Sequence, residues 1–229
     1  MRDASGSNDA NNAPRWLIIG HGMVAMRFLQ NIVDHRAKGV GIEAAITVVS
    51  AEQVGGYNRI GLSDVLVGKR TLDSLDPVAP DWFEQQGISV KYGAVVHIDR
   101  VAHRVVLASG EELAYDRLIL ATGSSPRVPG IPGIGLQGVQ AFRTRNDLHN
   151  MKILPEGSTA VVLGGGLLGL EAAVGLAGQG VGVTVVHRGP WLMNRQLDKQ
   201  AGDWLAARLE QQGITFITGA EAQAIAPQG

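Results

Sequence analysis

The feature that most constrains this chain is a strand, glycine turn and helix that occurs twice, with the copies about 140 residues apart. In the first copy, residues 16–19 form an apolar run without alternation, as a parallel strand buried on both faces does, and the run stops at Gly20. Gly20, Gly22 and Ala25 then occupy the small-residue positions of G-x-G-x-x-G/A, and Met23 opens the helix that follows. The first small residue permits a tight turn, the second lets a pyrophosphate approach the backbone, and the third lets helix and strand pack closely. Backbone N–H groups at a helix start, aided by the helix dipole, favour a phosphate there. In the second copy, residues 159–163 read as a buried strand and Gly164-Gly165-Gly166-Leu167-Leu168-Gly169 is a full G-x-G-x-x-G. Residues 170–179 read as a helix ended by Gly180, and 183–186 as the next strand. One glycine triplet alone says little, but two copies of one unit point to two dinucleotide sites. The implied fold class is α/β, with two Rossmann-like three-layer dinucleotide-binding domains. Residues 15–145 would form the first and 146–229 the second, and both read as incomplete.

Composition agrees with that reading and removes others. A chain of 229 residues with 45% hydrophobic content can bury a sizeable core, and 31 glycines without a G-x-y period suit nucleotide-binding turns. A formal net charge of -1 without a basic cluster argues against nucleic acid or an anionic membrane as partner. The absence of cysteine excludes disulfides, thiolate-bound clusters and thiol nucleophiles from this chain, so any redox chemistry belongs to a bound organic cofactor. Residues 1–14 are small and polar without an apolar signal region and read as a disordered tail. No run reaches the roughly 18 apolar residues of a membrane helix, which makes the cytoplasm the default location.

Between the two glycine turns the sequence supplies further candidates. A helix over 23–34 gives way to a loop around Gly39, and a strand over 45–49 ends at Ser50-Ala51-Glu52. Glu52 is either the acid that binds a ribose hydroxyl or a solvated surface acid. The polar, glycine-rich stretch 55–69 carries Tyr57, Asn58 and Arg59 and a short helix from Ser63, and is either a surface excursion or a flap over a ligand. A short helix over 80–86 and strands at 89–92, 95–99, 104–107 and 115–120 follow. The last of these, read as buried, runs into Thr122-Gly123, after which Pro126, Pro129 and Pro132 forbid regular structure over 124–133. In the second unit, Glu171 either favours its own helix start or sits near the nicotinamide side of a nucleotide. His187-Arg188 stands where an NAD site usually presents an acid; an arginine there can receive a 2′-phosphate, which tilts the coenzyme towards NADPH. His187 has no second ligand at metal spacing. A helix over 198–212 with Trp204, Leu205 and Leu209 on one face and a strand over 214–218 complete the reading.

These residues resemble the FAD- and NAD(P)H-binding part of the pyridine-nucleotide-dependent flavoprotein reductases. More closely, they are similar to the N-terminal region of assimilatory NAD(P)H nitrite reductase large subunits and of nitrate reductase electron-transfer subunits. The resemblance rests on YNRIGLSDVLVGK at 57–69, YDRLILATGSSPRVPGIPG at 115–133, VVLGGGLLGLEAA at 161–173 and LMNRQLDKQAG at 192–202, and it covers 15–218. It implies that Gly20, Gly22 and Ala25 hold the FAD pyrophosphate, Glu52 its ribose, and Asn58 and Arg59 the flavin side. It further implies that the Val95 backbone touches the adenine, that Thr122-Gly123 closes over the FAD, and that Gly164, Gly166, Gly169 and Glu171 hold NAD(P)H. The expected activity is hydride transfer from NAD(P)H to FAD, then electron delivery to a downstream iron–sulfur or sirohaem module or partner subunit. A homo-oligomer is compatible with it. No catalytic side chain is required. Asp64 stands where many ferredoxin and rubredoxin reductase relatives carry a lysine after Leu-Ser, and no Gly-Asp return segment follows the second unit. The alternatives are therefore a ferredoxin- or rubredoxin-type reductase, or a truncated, non-catalytic nucleotide-binding fragment.

Overall fold

The computed structural model describes residues 13–41 and 43–227, so residues 1–12 of the expected tail lie outside the described residues. In chain order the first elements are β1 (Arg15–Ile19), α1 (Met23–Ala37), β2 (Ala45–Ser50), α2 (Leu62–Leu66), α3 (Trp82–Gln85), β3 (Ile88–Tyr92), β4 (Val95–Asp99), β5 (Arg104–Leu107), β6 (Glu112–Ala114) and β7 (Arg117–Leu120). There follow α4 (Arg145–Lys152), β8 (Thr159–Leu163), α5 (Leu167–Ala177), β9 (Gly182–His187), α6 (Lys199–Glu210) and β10 (Ile214–Thr218). Contacts group the chain up to Asn58 with Asp76–Ser124 as one unit, and Arg59–Leu75 with the chain from Ser125 onward as another. This grouping interleaves the chain, whereas the sequence suggests two consecutive segments meeting at 145.

The first unit is built on a parallel sheet of order β3-β2-β1-β7. Side chains alternate across β1, and each face meets a different cover. Ile18 packs with Val48 against Ala25, Met26, Leu29 and Ile32 of α1, while Leu17 and Ile19 pack with Val49 against Val105, Leu107 and Tyr115. Val105 and Leu107 belong to an antiparallel sheet of order β4-β5-β6, and Tyr115 follows its last strand. Two dry faces explain why β1 shows no polar alternation, and each fully buried Ile or Leu there contributes about 1.5–3 kcal/mol. Arg15 and Asp116 join the starts of β1 and β7: the Arg15 backbone N–H and Nε donate to Oδ2 at 2.7 and 3.1 Å, and a terminal guanidinium nitrogen donates to Oδ1 at 2.9 Å. Those hydrogen bonds hold the Asp116 carboxyl far below the usual carboxylate range.

The second unit carries a parallel sheet of order β10-β9-β8. Val183 and Val185 of β9 are buried, as are Ala172, Ala173 and Leu176 of α5. Helix α2 packs on α5 where Gly175 lacks a side chain, since a Cβ there would stand 2.4 Å from Leu66 Cγ. Helix α4, absent from the periodicity reading, starts at a capping box in which Thr144 accepts from the Asp147 N–H and the Asp147 carboxylate accepts from the Thr144 N–H.

Three sequence expectations need correction. The strands β7 and β8 are not buried like β1: Leu120 is 61% and Val161 65% exposed, because strand side chains project from the faces of the sheet and the described residues do not cover them there. Tyr115 precedes β7, and the extra strand β6 intervenes before it. Trp204 faces solvent at 70% exposure while Leu209 is buried, because five residues turn about 140° around a helix and cannot share a face.

Two outcomes follow. Asp116→Asn should lower the melting temperature above about pH 4, where the unfolded carboxyl would be ionised, and the difference from wild type should shrink as pH falls through and below that value. Gly169→Ala would place a Cβ 2.0 Å from the Gly164 carbonyl oxygen and should cost about 1–3 kcal/mol in chemical unfolding.

Candidate functional site

Each glycine turn sits at the C-terminal end of its unit's first strand, and the two have the same backbone course. Gly20 donates to the Val49 carbonyl at 2.8 Å with φ +103°, and Gly164 donates to the Val186 carbonyl at 2.8 Å with φ +121°. A side chain at Gly20 is excluded as well by the end of β7, since a Cβ would lie 2.2 Å from the Ala121 oxygen and 2.9 Å from the Thr122 nitrogen. Gly22 (φ -95°, ψ -173°) and Gly166 (φ -90°, ψ 178°) then cap α1 and α5 in extended conformation. Neither helix has a side-chain cap, and neither has an acid in its first turn. A Cβ built on Gly22 or Gly166 meets nothing within 4 Å. Each helix start therefore presents N–H groups and a positive dipole end to open space of the kind a diphosphate fills. At the third position Ala25 is fully buried in the α1 core, whereas Gly169 is pressed against Gly164.

Around the first turn, the structure brings Glu52, Tyr57 and His21 to the same end of the sheet. Ser50 Oγ donates to the Glu52 carbonyl at 2.7 Å, and the buried Tyr57 hydroxyl donates to Glu52 Oε2 at 2.7 Å, which fixes the carboxylate just past β2. Tyr57 is thus a support for that acid, which residue order alone did not reveal. His21, between the two glycines of the turn, accepts the Gly56 N–H through Nε2 at 3.1 Å and stands edge-on to Phe83 at 4.9 Å between ring centroids. Its proton is accordingly on Nδ1, which is buried without a partner among the described residues, and burial pushes the imidazole pKa down. The neutral ring fastens the 55–57 stretch to the turn. Met23 is exposed on the first turn of α1, and Thr122-Gly123 follows β7 after Ala121, with Gly123 at φ +69°. Val95 begins β4 opposite Leu107, next to a register shift. Asn58 closes this unit's first segment, while Arg59 belongs to the other unit and donates to the Arg143 carbonyl at 3.2 Å.

Around the second turn, the loop after β9 folds under the glycines. The Met193 N–H donates to the Gly165 carbonyl at 2.9 Å, and a Cβ on Gly165 would meet Leu192 at 2.8 Å and His187 at 2.9 Å. His187 donates from Nε2 to Asn194 Oδ1 at 3.1 Å, so its ring serves the loop. Glu171 accepts from Ser63 Oγ at 2.5 Å, which turns this carboxylate towards α2. Ser63 lies 108 residues away and has no pattern that links it to Glu171; only the fold brings them together. Arg188, at the end of β9, is largely exposed. Among the described residues no cluster of three or more His, Asp or Glu is placed to hold a metal ion, and no helix is long and apolar enough to cross a membrane.

Comparison with known proteins agrees with this geometry. The pyridine nucleotide-disulphide oxidoreductase family matches residues 14–229. The assimilatory nitrate reductase electron transfer subunit of Bacillus subtilis is 38% identical over 205 residues, 89% of this chain and 26% of that protein. The nitrite reductase [NAD(P)H] of the same organism is 40% identical over 203 residues, 88% of this chain and 25% of that protein. The chain thus spans about a quarter of the length of these relatives. Among solved structures, the ferredoxin reductase of Rhodopseudomonas palustris superposes with a TM-score of 0.80 at 27% identity, covering 94% of this chain and 53% of that one. With its two glycine turns, parallel sheets and these matches, the chain belongs to the pyridine nucleotide-disulphide oxidoreductase family.

Proposed function

We propose that this chain is the FAD- and NAD(P)H-binding module of an assimilatory nitrite or nitrate reductase, located in the cytoplasm, that passes electrons to an iron–sulfur or sirohaem centre of a larger assembly. The observation that carries the reading is the matched pair of turns with open space above Gly22 and Gly166. When bound, the flavin accepts hydride from the nicotinamide and releases electrons singly to an acceptor. The residues of this chain bind and orient. The amides after Gly20 and Gly22 would hold the FAD pyrophosphate, Ala25 allows the helix to pack closely, and Met23 would flank the phosphates. Glu52, braced by Tyr57, would accept from the adenosine ribose, the Val95 backbone would meet the adenine, and Asn58, Arg59, Thr122 and Gly123 would serve the flavin side. Gly164, Gly166 and Gly169 would hold the nicotinamide dinucleotide, with Glu171 just past the first turn of the same helix and Arg188 placed to meet a 2′-phosphate. Asp64, in place of a lysine, favours this reading over a ferredoxin- or rubredoxin-type reductase.

The purified chain should show the blue absorption of oxidised flavin, and a colourless protein that takes up no FAD on titration would reduce it to a nucleotide-binding fragment. Gly22→Val should abolish flavin retention with the circular dichroism unchanged, because the new side chain enters open space and not the core. Arg188→Glu should weaken NADPH binding by at least about tenfold, since a charge-assisted hydrogen bond becomes a repulsion, while NADH binding stays nearly constant.

A further inference from the structure

The end of β9 lacks the acid that usually recognises an adenosine ribose, yet the fold brings one there from the segment that follows β10. Strands β9 and β10 are parallel, with Thr218 opposite His187. The pairing runs on past both strands: the Gly219 N–H donates to the Gly189 carbonyl at 2.9 Å and the Ala220 N–H to the His187 carbonyl at 3.2 Å. Glu221 is thereby pinned beside residues 187–189, with its Oε1 3.9 Å from the Arg188 guanidinium. Both side chains are more than 60% exposed, on the rim of the strand ends where adenosine lies in this kind of fold.

We infer that Glu221 is a coenzyme-specificity residue, standing in space where the strand-end acid is missing in sequence and opposing Arg188 over the ribose 2′ position of the dinucleotide. The inference deepens the proposed coenzyme site and rests on it. A free 2′-hydroxyl can donate to the Glu221 carboxylate, which rewards NADH. A 2′-phosphate is drawn by Arg188 and repelled by Glu221, which limits the reward for NADPH. At 3.9 Å between exposed groups the pair is weak and easily parted, so Arg188 remains able to turn to a phosphate. His187 does not compete for this role, because its ring is bonded to Asn194. The two opposed charges make the site tolerant of both coenzymes.

The test is direct binding of NADH and NADPH to the full chain, read by nucleotide fluorescence or calorimetry at low salt, for wild type and Glu221→Gln. An exposed, surface-rim exchange of this kind should leave the melting temperature unchanged. The expected result is NADPH bound about threefold to fivefold more tightly, NADH bound no more tightly than before, and a gain for NADPH that shrinks as salt is raised. Both nucleotides binding with their affinity ratio unchanged, or shifted towards NADH, would overturn the role of Glu221 and leave the coenzyme cradle standing. Wild type binding neither nucleotide would overturn the cradle, and this inference with it.

Discussion

The chain must leave a strand, reverse within two residues and start a helix whose first amides stay uncovered; everything else in each unit accommodates that requirement. At Gly20 the reversal is enforced twice, by a left-handed φ and by the carbonyl of Ala121 pressing where a Cβ would be. At the second turn Gly169 plays the pressing role instead, against Gly164. The same backbone course is therefore reached with different contacts, which marks the course itself as the constraint. The absence of side-chain caps and of first-turn acids has the same sense. A serine or aspartate at Gly22 or Gly166 would satisfy the helix start internally and remove the attraction for an anion.

Around this fixed element the neighbouring polar groups are held by one another. Tyr57 holds Glu52, Ser63 holds Glu171, Asn194 holds His187 and His21 holds Gly56. In each pair one member stands at or next to a glycine turn and the other comes from a loop or a short helix. Side chains so braced lose little further freedom when they meet a ligand, which is the physical meaning of a preorganised site. The charged groups at the rim, Arg188 and Glu221, are the exception: exposed and loosely paired, they are the groups that can respond to the ligand's own charge.

Much of this was legible in the residues. The two glycine triplets, the apolar run at 16–19 and the proline-broken stretch after Thr122-Gly123 follow from local rules. What was not legible depends on packing over distance. The exposure of β7 and β8 depends on what covers each face of the sheet, which periodicity within a strand does not report. The placement of α2 with the second unit depends on the Leu66–Gly175 fit, and helical spacing says nothing about a partner 109 residues away. Helix α4 was readable from Thr144 and Asp147 as a capping box but too short and polar to show by periodicity. The companion of Arg188 was hidden for a related reason: Glu221 reaches it only because the β9–β10 ladder continues past its last paired residues.

The interleaving of the chain has a consequence for synthesis. The segment Arg59–Leu75 is made early, but its packing surface on α5 and the carboxylate that Ser63 bonds are made roughly 100 residues later. At about 5–20 residues per second, Leu66 and its neighbours wait roughly 5–20 s for their partners, while other strands emerge and pair. The nascent chain thus carries a greasy, unclaimed stub over that interval, and closing so long a loop is delayed by its entropy alone.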